Sequence, residues 1–275
     1  VDPEANPMSR RTTTVLACLV ISSLLSFIAA TPAAAAAPHT DWDYIALGDS
    51  YSAGVGASGQ SGLCLRSANG YPGRWKAADD PRSYRSVACS GATTATLRGT
   101  QLWPLTSGTD LVTLTIGGND AGFATTVISC TLSSDSGCAA TVASAMESTR
   151  DELPAKLDST YAAIRRKAPN ARVVVLGYPI LFDVTVASCG VGGMSIAKRK
   201  SINRGAVELN ELIADRVEAA GLTWADVTDE FAGHGICGPA PWLNGLTVIP
   251  ATNSFHPNGS GYRYGYLPAL DEALG

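Results

Sequence analysis

Four short apolar runs, Tyr44–Leu47, Leu111–Ile116, Arg172–Leu176 and Leu222–Val227, limit the folds open to this chain more than any other feature. They have the length and β-branched content of strands buried on both faces. Between them the apolar period changes to that of helices. Leu153, Leu157, Tyr161 and Ile164 share one helical face, and Ile202, Ala206, Leu209, Ile213 and Val217 share another, with Gly221 placed to end that helix. Strand alternating with helix implies an α/β fold in three layers, α/β/α, around a central parallel sheet. Ligands of such sheets bind beyond the carboxyl ends of the strands. The first run leads there into Gly48-Asp49-Ser50-Tyr51, and the second into Gly117-Gly118-Asn119-Asp120.

A chain of 275 residues, 45% hydrophobic and 16% charged, can bury a full core, and no low-complexity linker divides it. Residues 38–275 therefore read as a single domain. Residues 1–37 read as an N-terminal extension and signal peptide: Arg10 and Arg11, an apolar stretch from Val15 to Ala30, then small residues to Ala37. A retained membrane anchor is the competing reading, but the alanine tract suits a signal peptidase better. The expected location is extracellular, with the general export route favoured over the twin-arginine route. A formal charge of −4 gives no steering toward nucleic acid.

Cys18 falls inside the expected signal, leaving Cys64, Cys89, Cys130, Cys138, Cys189 and Cys237. Six cysteines in an exported chain suggest three disulfides. Sequence permits many pairings, and the sequential one is favoured because each bridge then closes a local loop between adjacent strand and helix signals. With no C-x-x-C pair and three histidines in all, no metal site is expected.

The turn chemistry suits a nucleophilic hydroxyl, which needs a base within hydrogen-bond reach and donors aimed at the developing oxyanion. His39 lies in a stretch expected to be flexible, and His234 in a glycine-flanked loop expected at the surface. His256 is the better candidate base, because Pro257 could open the closing helix and fix the imidazole on its lip. Ser50 by itself could be a simple helix cap. Gly48 permits a tight turn that points the Ser50 hydroxyl and N–H at one carbonyl. Asn119 could add a side-chain N–H, where the plainer reading is a turn asparagine. Gly91 could add a backbone N–H with no Cβ to block substrate.

Taken in order, Gly48-Asp49-Ser50-Tyr51, Ser90-Gly91-Ala92, Gly117-Gly118-Asn119-Asp120 and His256-Pro257 resemble the blocks of the SGNH, or GDSL-type, hydrolases. With the cysteine layout, the resemblance is nearest to secreted lipases, esterases and phospholipases of actinomycete bacteria. It implies a flavodoxin-like three-layer fold, a carboxylic ester hydrolase, and sequential disulfides. It implies Ser50 as nucleophile and His256 as base, with the Ser50 N–H, Gly91 N–H and Asn119 amide as oxyanion donors. No cofactor is expected. The expected partner is a small or lipid acyl ester, met by a monomer with transient contact at lipid surfaces. A carbohydrate O-deacetylase and a non-catalytic secreted binding protein are the alternatives.

One position departs from the family pattern. Many members carry an aspartate three residues before the histidine, where this chain has Asn253. An amide cannot stabilise an imidazolium as a carboxylate does. Some secreted relatives use a main-chain carbonyl, which falls here on Ser254, so a Ser50–His256 dyad oriented by that carbonyl is expected. Asp120 is expected to brace the Asn119 turn. Gly54-Val55-Gly56-Ala57-Ser58-Gly59 fits a dinucleotide pattern in the wrong context, after the serine turn and not after a strand. Ser52 where a glycine would close G-x-S-x-G argues against the α/β-hydrolase type. Ile180-Leu181-Phe182 and Trp242-Leu243 are candidate walls for an acyl groove, with ordinary core packing as the plainer reading.

Overall fold

The computed structural model describes residues 39–187, 189 and 194–275. The signal expected over residues 1–37 lies outside these, as does Cys18. In chain order the elements are β1 (Asp43–Ala46), α1 (Ser50–Ala53), α2 (Tyr71–Asp79), β2 (Ser83–Ser86), α3 (Thr94–Thr100) and β3 (Leu111–Leu114). They continue with α4 (Phe123–Leu132), α5 (Asp135–Lys167), β4 (Arg172–Leu176), α6 (Ile196–Ala219) and β5 (Thr223–Ala225). A π-helical stretch, Gly261–Tyr266, then runs into α7 (Leu267–Leu274).

The five strands are all parallel, in the order β2-β1-β3-β4-β5. From β1 the chain first steps outward to β2, then crosses back to β3 on the other side. Right-handed crossovers therefore place α2 on one face and α3 to α6 on the other. The reversal between β1 and β3 leaves a crevice at their carboxyl ends, where the turns after both strands open.

Burial explains which strands the sequence announces. Leu111, Val112 and Leu114 of β3 and Val174 to Leu176 of β4 have no exposed surface, so both strands read as near-continuous apolar runs, broken in β3 by the buried Thr113, whose hydroxyl bonds Tyr44. Strand β2 reads Ser-Tyr-Arg-Ser and alternates between exposed and half-buried, as an edge strand can. It was not among the four expected strands because it carries no apolar run. The expected fourth strand shortens to Thr223–Ala225.

Both expected helical faces are buried: Leu153, Leu157, Tyr161 and Ile164 on α5, and Ile202, Ala206, Leu209, Ile213 and Val217 on α6. Replacing a fully buried leucine such as Leu157 by alanine would cost about 2–5 kcal/mol. Helix α6 ends in a Schellman motif. The Gly221 N–H donates to the Glu218 carbonyl at 2.9 Å and the Leu222 N–H to the Val217 carbonyl at 3.0 Å. The cysteines pair sequentially, Cys64 with Cys89, Cys130 with Cys138 and Cys189 with Cys237.

Candidate active site

The turn after β1 is built from polar side chains sealed inside the protein. Asp49 caps α1, its Oδ1 accepting from the Tyr51 N–H at 3.0 Å and from the Thr115 hydroxyl at 2.6 Å. Its Oδ2 accepts from the Tyr178 hydroxyl, which in turn accepts from the Gly118 N–H at 3.0 Å. One carboxylate thus ties the serine turn to the turns after β3 and β4. Asp49 is 1% exposed. Burial pushes its carboxyl up to about 6, against the pull of the hydroxyls and the N–H that favour its charged form. Gln101, just past α3, clamps the same turn from the other side, accepting from the Gly48 N–H at 2.7 Å and donating to the Gly48 carbonyl at 2.9 Å.

Ser50 opens α1, so its N–H belongs to the set that a helix leaves unpaired. Among the described residues neither the Ser50 N–H nor the Gly91 N–H has an acceptor. Gly91 has φ +79°, the left-handed region that glycine enters without strain, and a Cβ there would meet no protein atom within 4 Å. Asn119 donates one amide hydrogen to the Ala92 carbonyl at 3.0 Å, which fixes the plane of its carboxamide. Asp120 accepts from the Thr94 N–H at 2.9 Å and its hydroxyl at 2.7 Å. It therefore braces the Asn119 turn against the start of α3.

His256 arrives from the far end of the chain, with Nε2 2.7 Å from Ser50 Oγ and Nδ1 2.9 Å from the Ser254 carbonyl oxygen. Among the described residues no carboxylate bonds the imidazole. Asn253 turns away, its Oδ1 accepting from Gln60 Nε2 at 2.8 Å. Burial lowers the His256 pKa to about 4, while the carbonyls of Ser254 and Thr252 work in the opposite direction. Its loop is pinned by main-chain bonds: Asn244 N–H to the His256 carbonyl at 2.8 Å, Phe255 N–H to the Asn244 carbonyl at 3.0 Å, and Asn258 N–H to the Trp242 carbonyl at 2.8 Å. The Tyr51 hydroxyl also donates to the Phe255 carbonyl at 2.7 Å. Phe255 sits at φ +63°, a conformation uncommon for a bulky side chain and one that recurs at functional sites.

Two expectations about this loop are corrected. Pro257 does not open the closing helix; it pairs with Leu243 in a bridge. The helix starts beyond Asn258, whose side-chain oxygen accepts from the Ser260 and Gly261 N–H groups at 2.9 and 3.2 Å. The glycine run that mimics a dinucleotide site also finds its use here. Gly56 has φ +94°, and a Cβ on it would come within 2.4 Å of the Pro257 carbonyl oxygen and 3.0 Å of His256 Cβ.

Ser50, Gly91, Asn119 and His256 line one cleft, a cavity of about 240 Å³ whose wall is apolar: Phe123, Val127, Ile128, Leu181, Leu209 and Phe255. Of the five candidate groove residues, Leu181 alone lines the cleft. Phe182 is buried in the core, and Ile180 faces a separate depression near Trp224. Trp242 stacks on His234 at 3.7 Å, while Leu243 holds the His256 loop. Main-chain pairing to that loop turns residues 242–243 away from the cleft. Phe123, Val127 and Ile128 come from α4, a helix not among those expected from the sequence. The spacing of Phe123, Val127 and Cys130 carries its helical signal. Tyr178 was also missed, although it follows the third apolar run and so lies at a strand end.

The other histidines are elsewhere. His39 was expected to be loose, yet its Nδ1 lies 2.9 Å from Asp79 and its ring 3.9 Å from that of Trp42. His234, as expected, is a surface-loop residue. Among the described residues no three His, Cys, Asp or Glu side chains gather to hold a metal ion.

Residues 46–264 match the GDSL-like lipase/acylhydrolase family. A lipase of Streptomyces rimosus is 46% identical over 270 residues, covering 97% of this chain and 99% of that protein. Lipase 1 of Streptomyces coelicolor is 43% identical over 261 residues, covering 94% and 96%. The crystal structure of phospholipase A1 from Streptomyces albidoflavus superposes with a TM-score of 0.82 at 42% identity, covering 85% of this chain and 99% of that one. The extracellular lipase of Streptomyces rimosus gives a TM-score of 0.81 at 47% identity, covering 84% and 99%.

Proposed function

The chain belongs to the GDSL-like lipase/acylhydrolase family and is an ester hydrolase, and from that premise we propose that it cleaves lipid acyl esters outside the cell through an acyl-enzyme on Ser50. The observation that carries this reading is the 2.7 Å contact between His256 Nε2 and Ser50 Oγ at the end of an apolar cleft.

His256, neutral at ordinary pH because burial depresses its pKa to about 4, takes the Ser50 proton as Oγ attacks the ester carbonyl. The imidazolium that forms keeps its Nδ1 proton on the Ser254 carbonyl. The developing oxyanion meets the Ser50 N–H, the Gly91 N–H and the second amide hydrogen of Asn119, the first being held by Ala92. His256 then returns its proton to the leaving alcohol, and the same base activates the water that hydrolyses the acyl-enzyme. The acyl chain lies along Phe123, Val127 and Leu181. A carbohydrate deacetylase would want polar sugar contacts on that wall. A monomer secreted by way of residues 1–37, with residues 38–275 as its one domain, completes this reading.

The test is hydrolysis of chromogenic esters of graded acyl length, a phospholipid and an acetylated sugar by the wild type and by Ser50→Ala. Turnover of the longer acyl esters, abolished in Ser50→Ala, is expected. Turnover that survives Ser50→Ala would reject the mechanism, and no turnover by the wild type on any substrate would favour a binding protein.

A further inference from the structure

We propose that the protein adsorbs to uncharged lipid surfaces through two apolar banks flanking the cleft mouth, the outer end of α4 and the segment 246–252; the proposal rests on the acyl-ester reading of that cleft. On α4, Ala124 and Ile128 line the cleft, and Leu132 continues their row one turn further out. Ile128 is 50% exposed and Leu132 89%. On the opposite bank Ala251 and Thr252 line the cleft, and just before them Val248 and Ile249 are 84% and 90% exposed. One exposed leucine is ordinary. Two stretches that each line the cleft and continue along the chain into strongly exposed apolar side chains are not scattered single residues, and grouped apolar exposure marks interaction surfaces.

Charge selects the occupant. Residues 121–134 and 231–262 contain no Asp, Glu, Lys or Arg, although the chain as a whole is 16% charged. A nucleic acid or an anionic membrane would call for lysines and arginines on this face. A protein partner would meet a charged polar rim around its apolar centre. A surface joined to an acyl cleft and free of charge suits the boundary between headgroups and acyl chains, where apolar side chains enter and the ester already lies.

The test uses the full chain with Ser50→Ala, so that vesicles stay intact, against phosphatidylcholine vesicles in a flotation assay at low and high salt. Binding is expected at both salt concentrations, and Leu132→Ser with Val248→Ser and Ile249→Ser should weaken it by at least roughly a hundredfold. With Ser50 restored, the triple variant should cleave a water-soluble short-chain ester at the wild-type rate while losing turnover of vesicle phospholipid. An unchanged melting temperature verifies the fold of the triple variant. Equal binding by the triple variant, or binding confined to anionic vesicles and lost in salt, would overturn the proposal. Failure of the wild type on the soluble ester would defeat the reading of Ser50 instead, and flotation of the Ser50→Ala protein would still decide the surface.

Discussion

Ser50 and His256 meet at 2.7 Å but are held by different means. The serine turn hangs from a sheet strand and is fixed by side chains, with Asp49, Thr115, Tyr178 and Gln101 forming a sealed polar network around it. The histidine sits on a loop held by main-chain bonds and by side chains of Tyr51, Gln60 and Asn244 at its edges, and its ring is oriented by a carbonyl where a carboxylate is common. A buried carboxylate therefore anchors the turn of the proposed nucleophile, whereas a backbone carbonyl orients the ring of the proposed base. Substitutions around Ser50 should damage turnover, whereas those around His256 should be tolerated unless they alter the loop or the ring itself.

The largest effects test the shared contact. Ser50→Ala and His256→Ala should each lower kcat by at least about a thousandfold, read by steady-state hydrolysis of a chromogenic ester. Asn119→Ala should cost about 2.7–4 kcal/mol of barrier, roughly a hundred- to thousandfold in kcat; a loss under tenfold would make Asn119 a turn residue only. Protonation of the buried histidine should come next in size. With its pKa at about 4, kcat/KM should stay near its neutral value at pH 5, where a histidine of ordinary pKa would have lost roughly thirtyfold. A break near pH 6 that vanishes in Asp49→Asn would shift that limb to the nucleophile's side of the comparison.

Smaller effects separate the two supports. Tyr178→Phe removes the hydroxyl between Asp49 and Gly118 and should lower kcat about tenfold with KM little changed, because the serine and asparagine turns lose their shared tie. Equal damage to KM would point to the cleft wall instead. Asn253→Ala should leave kcat within about threefold, since its side chain bonds Gln60 and not the imidazole. Collapse of that variant to the level of His256→Ala would end the carbonyl-oriented dyad.

The same two groups act oppositely on stability. The depressed His256 pKa means the unfolded chain gains the proton first, so stability falls as pH drops from 6.5 toward about 4. The raised Asp49 pKa means the folded chain keeps its proton longer, so stability falls as pH rises from 3.8 toward about 6. Between about 4 and 6 the two slopes offset one another.

What could be read from the residues follows the same divide. Buried central strands and amphipathic helices announce themselves because every position, or one whole face, must be apolar. Edge strand β2 did not, because solvent accepts its serines and arginine. Glycine, asparagine and serine at strand ends pointed to one side of the site. Tyr178 and Gln101 were invisible because nothing in their neighbours says that their polar atoms turn inward. Trp242 and Leu243 stayed open between groove wall and ordinary packing for a related reason: main-chain pairing to the His256 loop decides where they lie, and apolar character alone does not reveal it.

The contact between Ser50 and His256 spans 206 positions of sequence. Closing a loop of such length carries a large entropic cost, which the sheet and helices between the two residues offset. Until the segment carrying His256 has docked, the serine turn can exist but lacks the base proposed for it. Turnover by Ser50 and His256 thus reports that the chain has folded through to its last segment, because neither end of the polypeptide holds the pair alone.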